Sequence, residues 1–144
     1  MNMTENFSLQ SMIRSQTATR LGIDNEPSLV VVSALSDLCV NVLQPLRDEL
    51  GVPVFVSSGF RCIELNKAIR GADGSQHTFG QAGDIIVPGM TPSQVASVIM
   101  DLDLPVDQCI VEWDEWTHVS FSARHRREFL IRDNSGYTIM KDTP

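Results

Sequence analysis

The chain has 144 residues, a hydrophobic fraction of 42% and a formal net charge of −7. That length fits one domain whose core needs no disulfide or structural metal as a staple. The acidic balance argues against nucleic-acid partners, which need clustered Lys and Arg on phosphate: the one basic cluster, Arg124-His125-Arg126-Arg127, is short and followed by Glu128. No apolar run approaches the roughly 20 residues of a bilayer span. The N-terminus shows neither the basic nor the apolar region of a secretory signal. The expectation is therefore a protein cytoplasmic as synthesised, with no membrane span. Cys39, Cys62 and Cys109 form no CxxC pair and read as reduced thiols, two of them buried as small hydrophobes.

In chain order, Ser8 to Gly22 is polar with sparse apolar positions, as in a short helix or lid laid over the domain. After Pro27, Val32, Leu35, Cys39, Val42 or Leu43, Leu46 and Leu50 recur at helical spacing. Pro45 predicts a kink or break near Gln44, and Gly51 a C-terminal stop. Val52 to Ser57 is β-rich, Arg61 to Arg70 a second helix, and Gly71 to Gly74 a loop. Asp84 to Val87 reads as a buried strand ending at Pro88-Gly89. Thr91-Pro92-Ser93-Gln94 combines a capping residue, a proline at the first helical position and a capping-box glutamine, opening a helix that runs to about Leu102. Gln108 to Trp113 and Trp116 to Phe121 form a predicted hairpin around Asp114-Glu115, and Phe129 to Ile131 with Tyr137 to Met140 a second. Helices first, then strands interleaved with one helix, predict an α+β fold: a single domain, residues 1–144, with helices packed on one face of a small antiparallel sheet. Its helical segment covers about 8–50 and its core about 52–131.

Three clusters carry chemistry. His77 in a loop and Asp84 at the next strand's start can converge on one ion through the Gly80-Gln81-Ala82-Gly83 bend, and both are good Zn²⁺ ligands. On that pair alone, a loop histidine beside a turn-capping aspartate is the simpler account. His118 changes the balance, because strand alternation puts it on one face with Trp116 and Ser120, opposite Thr117, Val119 and Phe121. Glu112 and Glu115 lie within reach, and a zinc-activated water needs a carboxylate to take its proton. Arg61 follows Ser57-Ser58-Gly59-Phe60, a strand end and glycine turn well placed to present a guanidinium to an oxyanion or carboxylate.

These segments together resemble a known family. Ser57-Ser58-Gly59-Phe60-Arg61 with Glu64-Leu65-Asn66-Lys67-Ala68, then Gly74-Ser75-Gln76-His77 with Gly80, Ala82-Gly83-Asp84-Ile85, then Val106-Asp107-Gln108, Glu112 and Trp116-Thr117-His118-Val119-Ser120 resemble the zinc D-Ala-D-Ala carboxypeptidases. More narrowly they are similar to the small murein peptidases of bacteriophages and prophages. Vancomycin-resistance D,D-dipeptidases and the hedgehog signalling domain belong to the wider group. The similarity runs from about Phe7 to Phe129. It implies the α+β fold of that group, one Zn²⁺ per chain and His77, Asp84 and His118 as its ligands. It also implies Arg61 at the scissile carbonyl or a substrate carboxylate, and Ser75 at a substrate-contacting position. Trp116, sharing a face with His118, joins them as an expected substrate contact. The general base stays open: Glu112 matches one branch of the group and Glu115, in an E-x-x-H arrangement, another, with Glu112 preferred. Phe60 stands where Tyr is common, and Cys62-Ile63 replaces a usual Ser-Pro.

The expected activity is zinc-dependent hydrolysis of a peptide bond in peptidoglycan stem peptides, by a D-Ala-D-Ala carboxypeptidase or a phage-type endolysin peptidase delivered to the wall by a holin or a virion. The alternatives are an intracellular D,D-dipeptidase and a non-catalytic binding module that keeps its zinc. The expected partner is a peptidoglycan peptide; the cleaved bond and the oligomeric state stay open.

Overall fold

The computed structural model describes residues 1–141. Its helices come first. Helices α1 (Leu9–Ile13) and α2 (Gln16–Leu21) are short and start at serines: Ser8 Oγ accepts from the Ser11 N–H and Ser15 Oγ from that of Ala18. Gly22 closes α2 in the left-handed conformation. The expected lid is thus two helical turns.

The helix predicted after Pro27 runs as α3 (Leu29–Leu38), a π-helical turn (Cys39–Leu43) and α4 (Gln44–Leu50), ending at Gly51 with φ +66°. Pro45 does not break it. A proline ring crowds the carbonyl four residues back and has no N–H to offer. The helix widens just before it, and the Gln44 N–H reaches back to the Cys39 carbonyl. Leu29–Leu50 is therefore one 22-residue helix, long and apolar enough by length and composition alone to cross a membrane. The expected helix up to Gly51 thus forms, with the π-helical turn in place of the break expected near Gln44. Leu35, Leu38, Cys39, Val42, Leu43 and Leu46 on one side are fully buried in the domain core, so the helix packs as the core helix of this domain.

The remaining helices are α5 (Ile63–Ala68), shorter than its expected Arg61–Arg70 span, and α6 (Pro92–Asp101). Helix α6 has the expected capping box between Thr91 and Gln94. The strands are β1 (Phe55–Ser58), β2 (Ala82–Ile86), β3 (Gln108–Glu112), β4 (Trp116–Ser120), β5 (Glu128–Asp133) and β6 (Gly136–Ile139). They form one six-stranded sheet in the order β1-β2-β4-β3-β5-β6. The α+β class stands. One detail differs: the sheet is mixed, because β5 pairs with β3 in parallel while the other neighbours are antiparallel. After β4 the chain crosses the end of β3 and lies down on its far side, which makes the two parallel.

That crossing is held by Asp107, whose side chain is fully buried. It accepts from the Ser122 hydroxyl, from Arg124, and from both backbone and guanidinium of Arg126. The arginines of the basic cluster are thus largely paired, although they stay at the surface, since Arg127 also pairs with the exposed Asp103.

Alternation gives the sheet two unlike faces. Val56, Ile85, Val119, Cys109, Val111 and Phe129 point into the core, beside the buried face of Leu29–Leu50. Burial pushes the Cys39 thiol up to about 12, so it behaves as a small hydrophobe. The opposite face carries Asp84, His118, Trp116 and Glu112, with Asp84 paired in register to His118 and Glu112 to Trp116. Four of the expected site residues thus share that face.

Candidate metal centre

Each ligand residue is delivered by a different local device. His77 lies on a 3₁₀ turn, Gln76–Phe79, capped by Ser75, whose hydroxyl accepts from the His77 N–H at 3.2 Å. Gly80 ends the turn with φ +72°. Gln76 on the same turn donates to Asp107 at 2.8 Å, tying the turn to the buried carboxylate under the β4–β5 crossing. Asp84 and His118 come from adjacent strands and face each other across the β2–β4 ladder.

The three side chains converge. His77 Nε2 lies 3.3 Å and His118 Nδ1 3.1 Å from Asp84 Oδ1, and one ligand atom from each residue lies within 4.8 Å of the others. A tetrahedral Zn²⁺ with bonds of roughly 2.0–2.1 Å has ligand–ligand edges of about 3.3–3.4 Å, so two imidazoles and a carboxylate at these separations fit such an ion. His77 Nδ1 sits 2.7 Å from the Gly59 carbonyl. An N–H at that nitrogen donates to Gly59 and turns the Nε2 lone pair toward the site, the usual outer support for a metal-ligating histidine.

Gly59 is needed for that support. A Cβ there would lie 2.2 Å from the Met12 carbonyl oxygen of α1, which already accepts from the Phe60 N–H at 2.8 Å. Asn25 bolts the same junction, donating to the Ile13 and Phe60 carbonyls and accepting from the Cys62 N–H. Helix α1 therefore helps to position the carbonyl that holds His77.

Burial and hydrogen bonding set the charges. Burial raises the Asp84 carboxyl, but the hydrogen bonds from His118 and His77 and their charge outweigh it and hold it below the usual carboxylate range. Burial lowers His77, against the pull of Asp84, and favours the neutral ring a metal requires. Glu112, with Oε1 3.8 Å from His118 Nδ1, is raised by burial above the ordinary carboxylate range.

The other expected residues fall in different places. Arg61 gives one nitrogen to Asp84 Oδ2 at 3.2 Å, one to Ser58 at 2.9 Å and one to Asn66 at 3.3 Å. A guanidinium has five N–H groups, so Arg61 is anchored and still has donors to spare. Trp116 lines the groove, and its buried Nε1 has no hydrogen-bond partner among the described residues. Ser75 lines the groove as well as capping the His77 turn. Glu115 is exposed at the hairpin tip and does not join Glu112 in lining the groove.

Two depressions meet at this cluster. One, of about 760 Å³, runs toward α2 and is walled by Arg14, Ser15, Gln16 and Thr17. The other, of about 780 Å³, runs over β3 and β4 toward Arg132 and Tyr137. Arg61, Ile69, Asp84 and Trp116 line both, so the groove passes continuously over the metal cluster. The lid expected from Ser8 to Gly22 does wall one arm, whereas the carbonyl support from Gly59, the Asp107 anchor and the placing of Trp113, Arg132 and Tyr137 were not foreseen from the sequence. The glycine in Ser57-Ser58-Gly59 was the one local signal available for these.

A family model described as Peptidase M15 matches residues 5–120. No curated protein matches the chain.

Proposed function

The chain belongs to the M15 peptidase family, and from that premise we propose that it is a zinc-dependent peptidase of peptidoglycan stem peptides. The observation that carries this reading is the buried His77–Asp84–His118 cluster, with Glu112 beside it, at the midpoint of a two-armed groove. His77, Asp84 and His118 would hold the ion. When bound, Zn²⁺ supplies an acidified water and polarises the scissile carbonyl.

The chain's own groups do the rest. Glu112 takes a proton from the attacking water and returns it to the departing amine; its raised carboxyl suits a base that must also act as an acid. Arg61 fixes Asp84 through Oδ2, leaving Oδ1 for the ion, and its spare N–H groups face developing negative charge in the groove. Trp116, in register with Glu112 and lining both arms of the groove, offers its ring as a substrate contact. Arms on both sides of the cluster give room for a peptide longer than a free dipeptide. A D-Ala-D-Ala bond is the default substrate, and a phage-type wall-lytic role the default setting, both on the strength of the sequence resemblance.

The test is metal content and cleavage of a D-Ala-D-Ala-terminated stem peptide, for the unaltered chain beside His77→Ala. The expected result is one zinc per chain, with metal and cleavage both lost in the variant. A zinc-loaded protein that cleaves no stem-peptide bond overturns the activity, and failure to take up zinc overturns the site.

A further inference from the structure

One arm of the groove carries a second group of side chains that the metal cluster does not use. The cross-strand pairs Trp116–Glu112, Glu112–Arg132 and Arg132–Tyr137 form a single row across β4, β3, β5 and β6. Its inner half, Trp116 and Glu112, lies beside the His77–Asp84–His118 cluster. Its outer half is Arg132, with its guanidinium carbon 4.8 Å from the Trp113 ring centroid and 4.9 Å from that of Tyr137, within cation–π range of both. Arg132 also donates from Nη1 to the Tyr137 hydroxyl.

This arginine differs from its neighbours in the groove. Arg61 is paired with Asp84, and Arg124 and Arg126 with Asp107. Arg70 is exposed, with no ring beside it. Arg132 is half-buried, oriented by two aromatic rings, and has no carboxylate within ion-pair distance among the described residues.

The chain bends unusually to make this arrangement. Trp113 and Asp114, between β3 and β4, have φ of +49° and +54°. A bulky residue seldom accepts that conformation, and such strain gathers at functional sites. Here the Trp113 N–H donates to the Arg132 carbonyl at 2.8 Å, and its Nε1 to Asn134 Oδ1 at 3.0 Å. The turn is thus tied to β5 and to the β5–β6 turn, and it stands the indole against the guanidinium. Of the five arginines that line this arm, Arg61, Arg124 and Arg126 are held by Asp84 and Asp107, which leaves Arg132 as the ring-oriented guanidinium with no carboxylate in ion-pair distance among the described residues.

We propose that Trp113, Arg132 and Tyr137 form a carboxylate-binding subsite of the groove. It would select stem peptides that carry a free α-carboxylate on their D-glutamyl residue over those in which that group is a carboxamide. A planar guanidinium held by rings offers its remaining N–H edge to a carboxylate in two-point fashion, a geometry that Lys does not reproduce. The subsite lies one strand spacing, about 4.8 Å, beyond Glu112, close enough for one substrate to reach both. The inference rests on the peptidase reading above.

The experiment uses two synthetic stem pentapeptides with lysine at the third position, identical except for a free D-glutamyl α-carboxylate or its carboxamide. Binding of each to the zinc-loaded chain is titrated calorimetrically in a Glu112→Gln background, and cleavage of each is followed with Glu112 intact. The expected result is at least tenfold tighter binding of the carboxylate form, a preference lost in Arg132→Gln and only partly kept in Arg132→Lys. Equal binding of both peptides, or a preference that survives Arg132→Gln in a protein with unchanged circular dichroism, overturns the subsite and leaves the peptidase standing if cleavage persists. Neither peptide bound and neither cleaved by a zinc-loaded chain overturns both.

Discussion

Glu112 and Glu115 are three residues apart on one hairpin, yet only one of them lies beside the metal cluster. Glu112 is the last residue of β3, on the same face as His118; Glu115 lies past the turn and faces solvent. Glu112→Gln is expected to lower kcat by about 10²- to 10⁴-fold, the usual worth of a general base, with zinc retained. Glu115→Gln is expected to stay within about threefold, surface changes away from special features being small. Steady-state kinetics beside metal analysis checks both. Asp107 is the second decisive carboxylate. Burial raises its pKa, but the bonds from Arg126, Ser122 and Gln76 more than reverse this and hold it below the usual range. A depressed folded-state pKa contributes stability above the unfolded value of about 3.9 and loses it as pH falls toward the folded one. Asp107→Asn should therefore cost about 3 kcal/mol at pH 7, with the gap to the unaltered chain closing below about pH 4. Urea titrations at several pH values would show a parallel offset instead if Asp107 acted by packing alone.

The elements work as supports. The β3–β4 hairpin sets Glu112 beside His118, and its positive-φ turn also places Trp113. Helix α1 reaches the site through Gly59, whose missing side chain admits the Met12 carbonyl and whose own carbonyl orients His77. Gly59→Ala is expected to destabilise the fold by about 1–3 kcal/mol, the range for overpacking, and to weaken zinc affinity as well. Loss of outer-shell support typically costs about 10- to 100-fold in metal affinity. Competition with a fluorescent chelator measures that second effect, which a purely global destabilisation would not produce in the folded protein at low temperature. Pro45 shows an element accommodating its own flaw. The π-helical turn at Cys39–Leu43 takes up the proline, and the helix keeps Leu35, Leu38, Val42 and Leu46 on the buried side.

Across the whole molecule, the sheet separates two tasks. One face builds the core with Leu29–Leu50 and α6; the other brings together His77, Asp84 and His118 from β2, β4 and the His77 turn, a cluster that could hold an ion. Because the ligands come from separate segments, metal binding should stabilise the entire fold. At free zinc a hundredfold above its dissociation constant the gain is about 2.7 kcal/mol, or roughly 5–10 °C in melting temperature for a domain of this size. That gain should shrink as pH falls from about 7 to 5, where histidines take up protons and compete with the ion, with His77, lowered by burial, holding out toward the acid end. Calorimetric scans with and without zinc at both pH values test this, and an increment independent of pH would exclude histidine ligation.

The sequence by itself determined what is local. Capping residues and apolar spacing marked α6 and the long core helix, Gly51 marked its end, and alternation marked the two hairpins. Strand alternation also put His118 on a face with Trp116, and the motif order drew His77, Asp84 and His118 into one reading. Strand order was beyond its reach, because nothing in residues 121–127 announces that β5 will pass over β3 and pair with it in parallel. Which of Glu112 and Glu115 comes to lie near His118 likewise depended on where the hairpin turns. The row linking Trp116, Glu112, Arg132 and Tyr137 joins residues up to 25 positions apart and exists only once register is set. Local patterns follow from backbone geometry and side-chain chemistry within a few residues. A site made by pairing distant strands is decided only when the sheet closes on its core.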